Sequence, residues 1–139
     1  MESVKARLAM ELGKMMRIVG IGCRAEATQS ALIEAIEMAL IASSGPLDAI
    51  ATTVERAESR MVRAVAKRFN LEIIAVDPAD LAGKVTPTQS PRILARFGTG
   101  SLAEAVALIA TESSAQLLCS RQISSDGMAT AAIAQGDRA

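Results

Sequence analysis

The sequence predicts an α/β fold: a three-layer α/β/α sandwich on a mixed sheet, closed by a C-terminal β-hairpin. Three observations carry that expectation. The early apolar runs alternate with helix-period segments, the pattern of a sheet covered by helices on both faces. The apolar mass is aliphatic: 50% of the 139 residues are hydrophobic, with no Trp or Tyr and only two Phe. Such side chains pack well where helices lie on a sheet. Finally, two runs near the C-terminus, 116–122 and 128–134, are joined by Ser124-Ser125-Asp126-Gly127, a hairpin turn signal. That pair would be antiparallel, so the sheet would be mixed.

The elements follow in order. Residues 1–15 carry Val4, Leu8, Leu12 and Met15 at near-helical spacing among Lys5, Arg7, Glu11 and Lys14. They read as an N-terminal extension, either helical or disordered, ahead of a single domain over 16–135 and a tail at 136–139. Residues 17–21 form a buried strand stopped by Gly20-Ile21-Gly22. Thr28 is a fair N-cap, because its hydroxyl can accept from a free first-turn N–H. Leu32, Ile36 and Leu40 share one face of the helix it opens, and Ser43-Ser44-Gly45-Pro46 ends that helix.

A second strand spans 47–53. Ser59 caps a helix whose core face is Met61, Val62, Val65 and Phe69, and Asn70 suits a left-handed terminus. Residues 72–76 are a third strand. Asp77-Pro78 then pairs a cap with a first helical proline and starts a short helix to about Gly83. After a loop at 84–89, Ser90-Pro91 starts another helix through Phe97. Gly98-Thr99-Gly100 breaks it. Ser101-Leu102-Ala103-Glu104 reads as a capping box, with Ser accepting from the third N–H and Glu reaching back, and the helix runs to about Ala110.

Composition excludes several kinds of chemistry. Lys+Arg and Asp+Glu balance at 15 each, so no global field draws the chain to nucleic acid or an anionic membrane. The scarcity of aromatics argues against base stacking. With no His in the chain, His-based acid–base catalysis, Ser-His-Asp triads and most transition-metal sites are excluded. Neither a metal nor another cofactor is expected. Two cysteines, Cys23 and Cys119, are too few for a disulfide framework. The absence of a signal-peptide pattern or a span-length apolar run makes the expected location cytoplasmic.

Any anion site must therefore be local, and the chain offers four candidates. Gly20-Ile21-Gly22-Cys23-Arg24-Ala25 joins a strand to a helix, where backbone N–H groups and the helix dipole converge. It fits the G-x-G-x-x-A dinucleotide fingerprint, but Thr52 and Thr53 stand where an acidic ribose partner would end the second strand. A ligand-free turn accounts for it equally well. Gly98-Thr99-Gly100-Ser101 again feeds a helix N-terminus, and a well-made cap explains it too. Ser120-Arg121-Gln122 closes a strand with an arginine that could grip a carboxylate, although a solvated arginine is the commoner reading. Arg56, Arg60, Arg63 and Lys67 read as a wetted stripe diluted by Glu55 and Glu58. Cys23 could be a thiolate nucleophile near a helix N-terminus and Arg24, though a small buried residue is the blander role. Cys119 reads as core.

Four segments, in order and at matching spacings, resemble a known family. They are GIGCR at 20–24, ATTVERAE at 51–58, FGTGSLAEAVALIA at 97–110 and LLCSRQ at 117–122. The chain resembles CobE and the C-terminal domain of CbiG, from cobalamin biosynthesis, over about 18–134. The resemblance implies an α/β/α sandwich with a mixed sheet, and a corrin-ring intermediate bearing acetate and propionate carboxylates as ligand. CbiG itself opens a precorrin δ-lactone and releases acetaldehyde, using an N-terminal domain that has no counterpart here. Three positions depart from the family pattern: Glu26 stands where glycine is frequent, Thr53-Val54-Glu55-Arg56 replaces a segment that usually carries Asp, and Ser120-Arg121 replaces Pro-Lys.

The resulting expectation is a cobalamin (vitamin B12) biosynthesis protein that binds a precorrin or corrinoid intermediate as a non-catalytic carrier or partner of pathway enzymes. The alternatives are a CbiG-type lactone hydrolase and a half-Rossmann nucleotide module. The expected ligand-binding residues are Gly20, Gly22, Cys23, Arg24, Thr52, Gly98, Thr99, Gly100, Ser101, Arg121 and Gln122. Glu55, Glu58 and Cys23 are the only catalytic candidates. Homo-oligomerisation is left open.

Overall fold

The computed structural model describes residues 15–111 and 113–137. Five strands form one sheet in the order β3-β2-β1-β5-β4. They are β1 (Met15–Cys23), β2 (Ala49–Thr53), β3 (Glu72–Val76), β4 (Ser113–Ile123) and β5 (Ala129–Asp137). β1, β2 and β3 run parallel, whereas β5 pairs antiparallel with both β1 and β4. The sheet is mixed and ends in a hairpin, as expected. The expected extension and tail lie outside the described residues, apart from Met15, which opens β1, and Gly136 and Asp137, which close β5.

The helices are α1 (Gln29–Ala42), α2 (Val54–Ala57), α3 (Arg60–Arg68), α4 (Pro91–Phe97) and α5 (Leu102–Ala110). β1 distributes its side chains alternately to the two layers, as a strand must. Val19 and Ile21 pack under Leu32, Ile36, Val62 and Val65 of α1 and α3. Met16 and Ile18 pack under Leu102, Ala105 and Val106 of α5, with Ile93 of α4 closing that side. Each fully buried Leu or Ile contributes about 1.5–3 kcal/mol of transfer free energy. No single helix among the described residues is long and apolar enough to cross a membrane.

The caps formed as expected at Thr28 and Ser59, whose hydroxyls accept from Ala31 N and Val62 N at 3.1 and 3.4 Å. Asn70 takes the left-handed conformation, with φ 57°. The hairpin turns where expected: Ser124 N donates to Ala129 O at 2.9 Å.

Three local expectations fail, and one short helix was not expected. β1 does not stop at Gly20-Ile21-Gly22 but continues to Cys23, because β5 pairs with it residue by residue from Met15 to Cys23. The Pro78 helix is a single 3₁₀ turn, Pro78–Asp80. A short helix, α2, follows β2 directly, capped by Thr53, whose hydroxyl accepts from Arg56 N. The capping box is only half made. Ser101 accepts from Glu104 N at 3.3 Å, but the Glu104 carboxylate turns away to Thr88 and Arg121.

Candidate functional site

A cleft of about 410 Å³ opens at the C-terminal ends of β1 and β2. The carboxyl ends of parallel strands are where open α/β sheets place ligands. Gly22, Cys23 and Arg24 bring β1 into it, Thr53, Glu55 and Arg56 bring β2 and α2, and Arg121 brings β4. Its apolar wall is Ile93 and Phe97 of α4, Leu102 at the start of α5, and Met128.

The charge in the cleft is one-sided. Arg24, Arg56, Arg92, Arg96 and Arg121 line it, against Glu26 and Glu55. The chain balances overall at 15 charges of each sign, so this excess is local. It comes from folding, since the five arginines belong to four separate stretches of chain. Arg92 and Arg96 are one helical turn apart on α4, which puts them on the same face. Arg96 also stands over the Phe97 ring at 5.0 Å from its centroid, a cation–π contact that presents a flat guanidinium.

Arg56 is the best anchored of the five. Its Nε donates to Cys23 O at 3.0 Å, and its side chain is 19% exposed. Glu55 Oε1 lies 3.7 Å from the same guanidinium but is 69% exposed, so water screens the pair. The bond to Cys23 consumes one edge of the guanidinium and leaves its remaining N–H groups for a ligand.

Cys23 is not activated. Burial pushes its thiol above the ordinary range, and the Arg56 charge offsets this only in part. The expected helix N-terminus is not there: Cys23 ends a strand and α1 begins at Gln29. The neighbouring charge belongs to Arg56, not to Arg24. Burial likewise raises the thiol of Cys119, with a smaller push from Glu104, and Cys119 sits in the core under α1.

The expected site residues divide into two groups. Gly22, Cys23, Arg24, Arg121 and Glu55 meet in the cleft. The others have partners elsewhere. Gly20 lies inside β1, where an added Cβ would stand 2.1 Å from Ala103 O and 2.7 Å from Ala107 N. Its missing side chain lets α5 lie directly against β1. Thr52 is fully buried and donates to Ile21 O at 3.2 Å.

The second glycine segment closes on the 84–89 loop. Thr99 donates to Lys84 O at 2.6 Å, and a Cβ on Gly100 would stand 2.3 Å from Thr88 O. Gly98 takes the left-handed C-cap of α4, with φ 76°, and Ser101 is fully buried as the cap of α5. Gln122 donates to Ser120 O. Glu58 points to solvent, 80% exposed and 3.8 Å from Arg63.

Sequence reasoning missed Arg92, Arg96 and Phe97, and it left Arg56 among a wetted stripe. The i, i+4 pairs Arg92/Arg96 and Ile93/Phe97 were a legible sign that α4 carries a cationic face beside an apolar one. Among the described residues, no group of three His, Cys, Asp or Glu could hold a metal ion.

The comparisons agree with this architecture. The family described as "Cobalamin synthesis G C-terminus" matches residues 17–134. The chain therefore belongs to that family, and with it to the cobalamin biosynthesis proteins of the CobE/CbiG type. The crystal structure of CobE, a protein from the cobalamin (vitamin B12) biosynthetic pathway, superposes with a TM-score of 0.74 at 27% identity, covering 87% of this chain and 90% of that one. Cobalamin biosynthesis protein chiG from Agrobacterium tumefaciens str. C58 gives 0.64 at 28% identity over 86% and 97% of the two chains. A cobalamin biosynthesis protein G homolog from Sulfolobus solfataricus shares the fold, with a TM-score of 0.66 at 20% identity over 88% of this chain and 37% of that one. A search of curated proteins finds no match.

Proposed function

We propose that the chain binds a polycarboxylated corrin-ring intermediate of cobalamin biosynthesis in the arginine cleft, as a non-catalytic carrier or partner of pathway enzymes. The observation that carries this reading is the set of five arginines around one cleft against two glutamates. Guanidinium forks match carboxylates two bonds at a time, and a precorrin offers carboxylates around its whole rim. The apolar wall of Ile93, Phe97, Leu102 and Met128 suits the ring itself.

Size supports a carrier. Pockets that enclose a drug-sized ligand run to roughly 300–1,000 Å³, and this cleft, at about 410 Å³, is near the small end. A corrin ring with all its side chains is larger than a typical drug. Only one edge of it enters, and the rest stays available to a second protein. Co-purification from cells blocked at successive pathway steps tests the reading. A coloured tetrapyrrole should travel with the protein at one of those blocks and be released by salt, and its absence at every block refutes the carrier role.

A hydrolase of the CbiG type is the second reading, favoured by one observation: Glu55 lines the cleft beside Arg56, a base next to a cation able to stabilise an oxyanion. Acetaldehyde release from a lactone-bearing precorrin is the assay, and a rate unchanged in Glu55→Gln removes Glu55 as the base. The nucleotide reading loses its support, because Gly20 and Gly22 are strand residues and form no phosphate loop.

A further inference from the structure

Glu104 is a fully buried carboxylate that neither the fold's hydrophobic packing nor the cleft lining uses. Burying an ionised carboxylate is costly unless its oxygens are satisfied. Here they are satisfied by neutral donors. Thr88 N donates to Oε1 at 2.9 Å, while Thr88 Oγ1 and Arg121 N both donate to Oε2 at 2.7 Å. Glu104 also lies in the first turn of α5, where the helix dipole favours a negative charge.

A second observation concerns the strand that receives it. On β4, Cys119 is opposite Ile133 and Gln122 is opposite Ala131. β4 thus carries one residue more than β5 across this stretch, at Ser120-Arg121. An extra residue of this kind interrupts the ladder, bends the strand and re-aims the side chains beyond it. The Arg121 N–H in the bulge goes to Glu104, and the Arg121 side chain faces the cleft.

We infer that Glu104 is a positioning residue for the cleft. From inside the fold it clamps the β4 bulge that aims Arg121, and the same carboxylate ties the 84–89 loop to that bulge through Thr88. A residue serving only as a cap would satisfy Ser101 N instead. A carboxylate is required because all three donors need an acceptor. A glutamine, whichever way its amide turned, would set an N–H against a backbone N–H of Thr88 or Arg121.

The inference rests on the proposed polycarboxylate site, and the test separates the two. Uroporphyrin, a planar macrocycle with acetate and propionate side chains, serves as the probe in titrations of the full chain, Glu104→Met, Arg121→Ala and the double variant. Each single change should weaken binding roughly tenfold, and the double variant should be no weaker than either, because Glu104 acts through Arg121. Multiplying losses, or no loss in Glu104→Met, overturn the inference. Should Glu104→Met fail to fold, Thr88→Val takes its place in the cycle; its smaller loss should vanish in the Arg121→Ala background, and a loss that persists there overturns the inference.

A ligand-free readout covers the remaining case. By residue-resolved hydrogen exchange, the Arg121 amide should be slow in the full chain and fast in Glu104→Met, with the Ala132 and Ile133 amides unchanged. A fast Arg121 amide in the unsubstituted chain overturns the positioning role. If that amide is slow but uroporphyrin does not bind, the polycarboxylate site fails, and with it any role for Glu104 in binding.

Discussion

Arg56 Nε donates to the backbone carbonyl of Cys23 at 3.0 Å, tying α2, the helix that follows β2, to the last residue of β1. Thr53 makes this reach feasible. As both the last residue of β2 and the N-cap of α2, it turns the chain sharply enough for Arg56 to fold back over the strand end. One arginine thus closes the floor of the cleft and supplies part of its charge.

Arg56→Lys keeps the charge but loses the fork. A lysine's N–H groups all sit on one tetrahedral nitrogen, so it cannot hold Cys23 O and at the same time present a planar two-donor edge to a ligand carboxylate. We expect about 1–2 kcal/mol of lost stability from the orphaned carbonyl and roughly a tenfold loss in affinity for a polycarboxylate porphyrin, one bidentate contact being worth about 1.4 kcal/mol. Urea denaturation and a fluorescence titration measure the two losses separately. Equal affinity in Arg56→Lys and the unsubstituted chain would count against the guanidinium contact.

Gly20→Ala should be among the most damaging single substitutions. Its Cβ would meet Ala103 O at 2.1 Å and Ala107 N at 2.7 Å, and both are backbone atoms of α5 that cannot swing aside. The helix must lift off the sheet, at a cost of about 1–3 kcal/mol or more. Gly127→Ala is the contrast. Its Cβ would touch nothing within 4 Å, and the only penalty is a φ of 74°, worth about 1–2 kcal/mol. Denaturation midpoints should rank the two variants in that order, and the reverse ranking would contradict the close packing of β1 on α5.

These two glycine-bearing segments show how far the sequence could be read. The alternation of strands and helices, the caps at Thr28 and Ser59 and the hairpin at Ser124 are local features, and local chemistry predicts them. The role of Gly20 is not local. A glycine that admits a ligand and one that admits a helix leave the same letter in the sequence, and only the crossing of α5 over β1 distinguishes them. The same holds for 98–101, whose glycines accommodate the 84–89 loop. The arginines were harder still. Arg24, Arg56, Arg92, Arg96 and Arg121 come from four stretches of chain that only the tertiary fold brings to one cleft, so no window of sequence contains the site.

Arg17 separates stability from binding. It sits near the start of β1, and its guanidinium donates to Gly45 O at 2.8 Å, to Pro46 O at 3.1 Å and to Ser43 Oγ at 2.9 Å. These bonds gather the chain that leaves the C-terminus of α1. Cys23 marks the other end of the same strand, about 20 Å away at roughly 3.3 Å per residue. Arg17→Ala should cost about 2–4 kcal/mol, since a buried charged donor is removed from Gly45 O, Pro46 O and Ser43 Oγ at once. Affinity for a polycarboxylate in the cleft should change less than twofold in the variant that remains folded. A tenfold loss would mean that the two ends of β1 are mechanically coupled.

The cysteines set the alkaline behaviour. Burial raises both thiols above their ordinary range, which lies near about 8.5. A raised folded-state pKa means that the folded chain holds these protons longer than the unfolded chain does. Their contribution to stability is therefore complete below about pH 8.5 and is lost as pH rises through the folded values. Denaturation midpoints should fall as pH rises above about 8.5, and a Cys23→Ala, Cys119→Ala double variant should flatten that fall. Arg56 opposes the shift at Cys23, so Arg56→Ala should raise that thiol further and slow its alkylation by iodoacetamide at pH 8. Faster alkylation in Arg56→Ala, measured by mass spectrometry on the folded protein, would show that Arg56 shields Cys23 sterically more than it acts on it by charge.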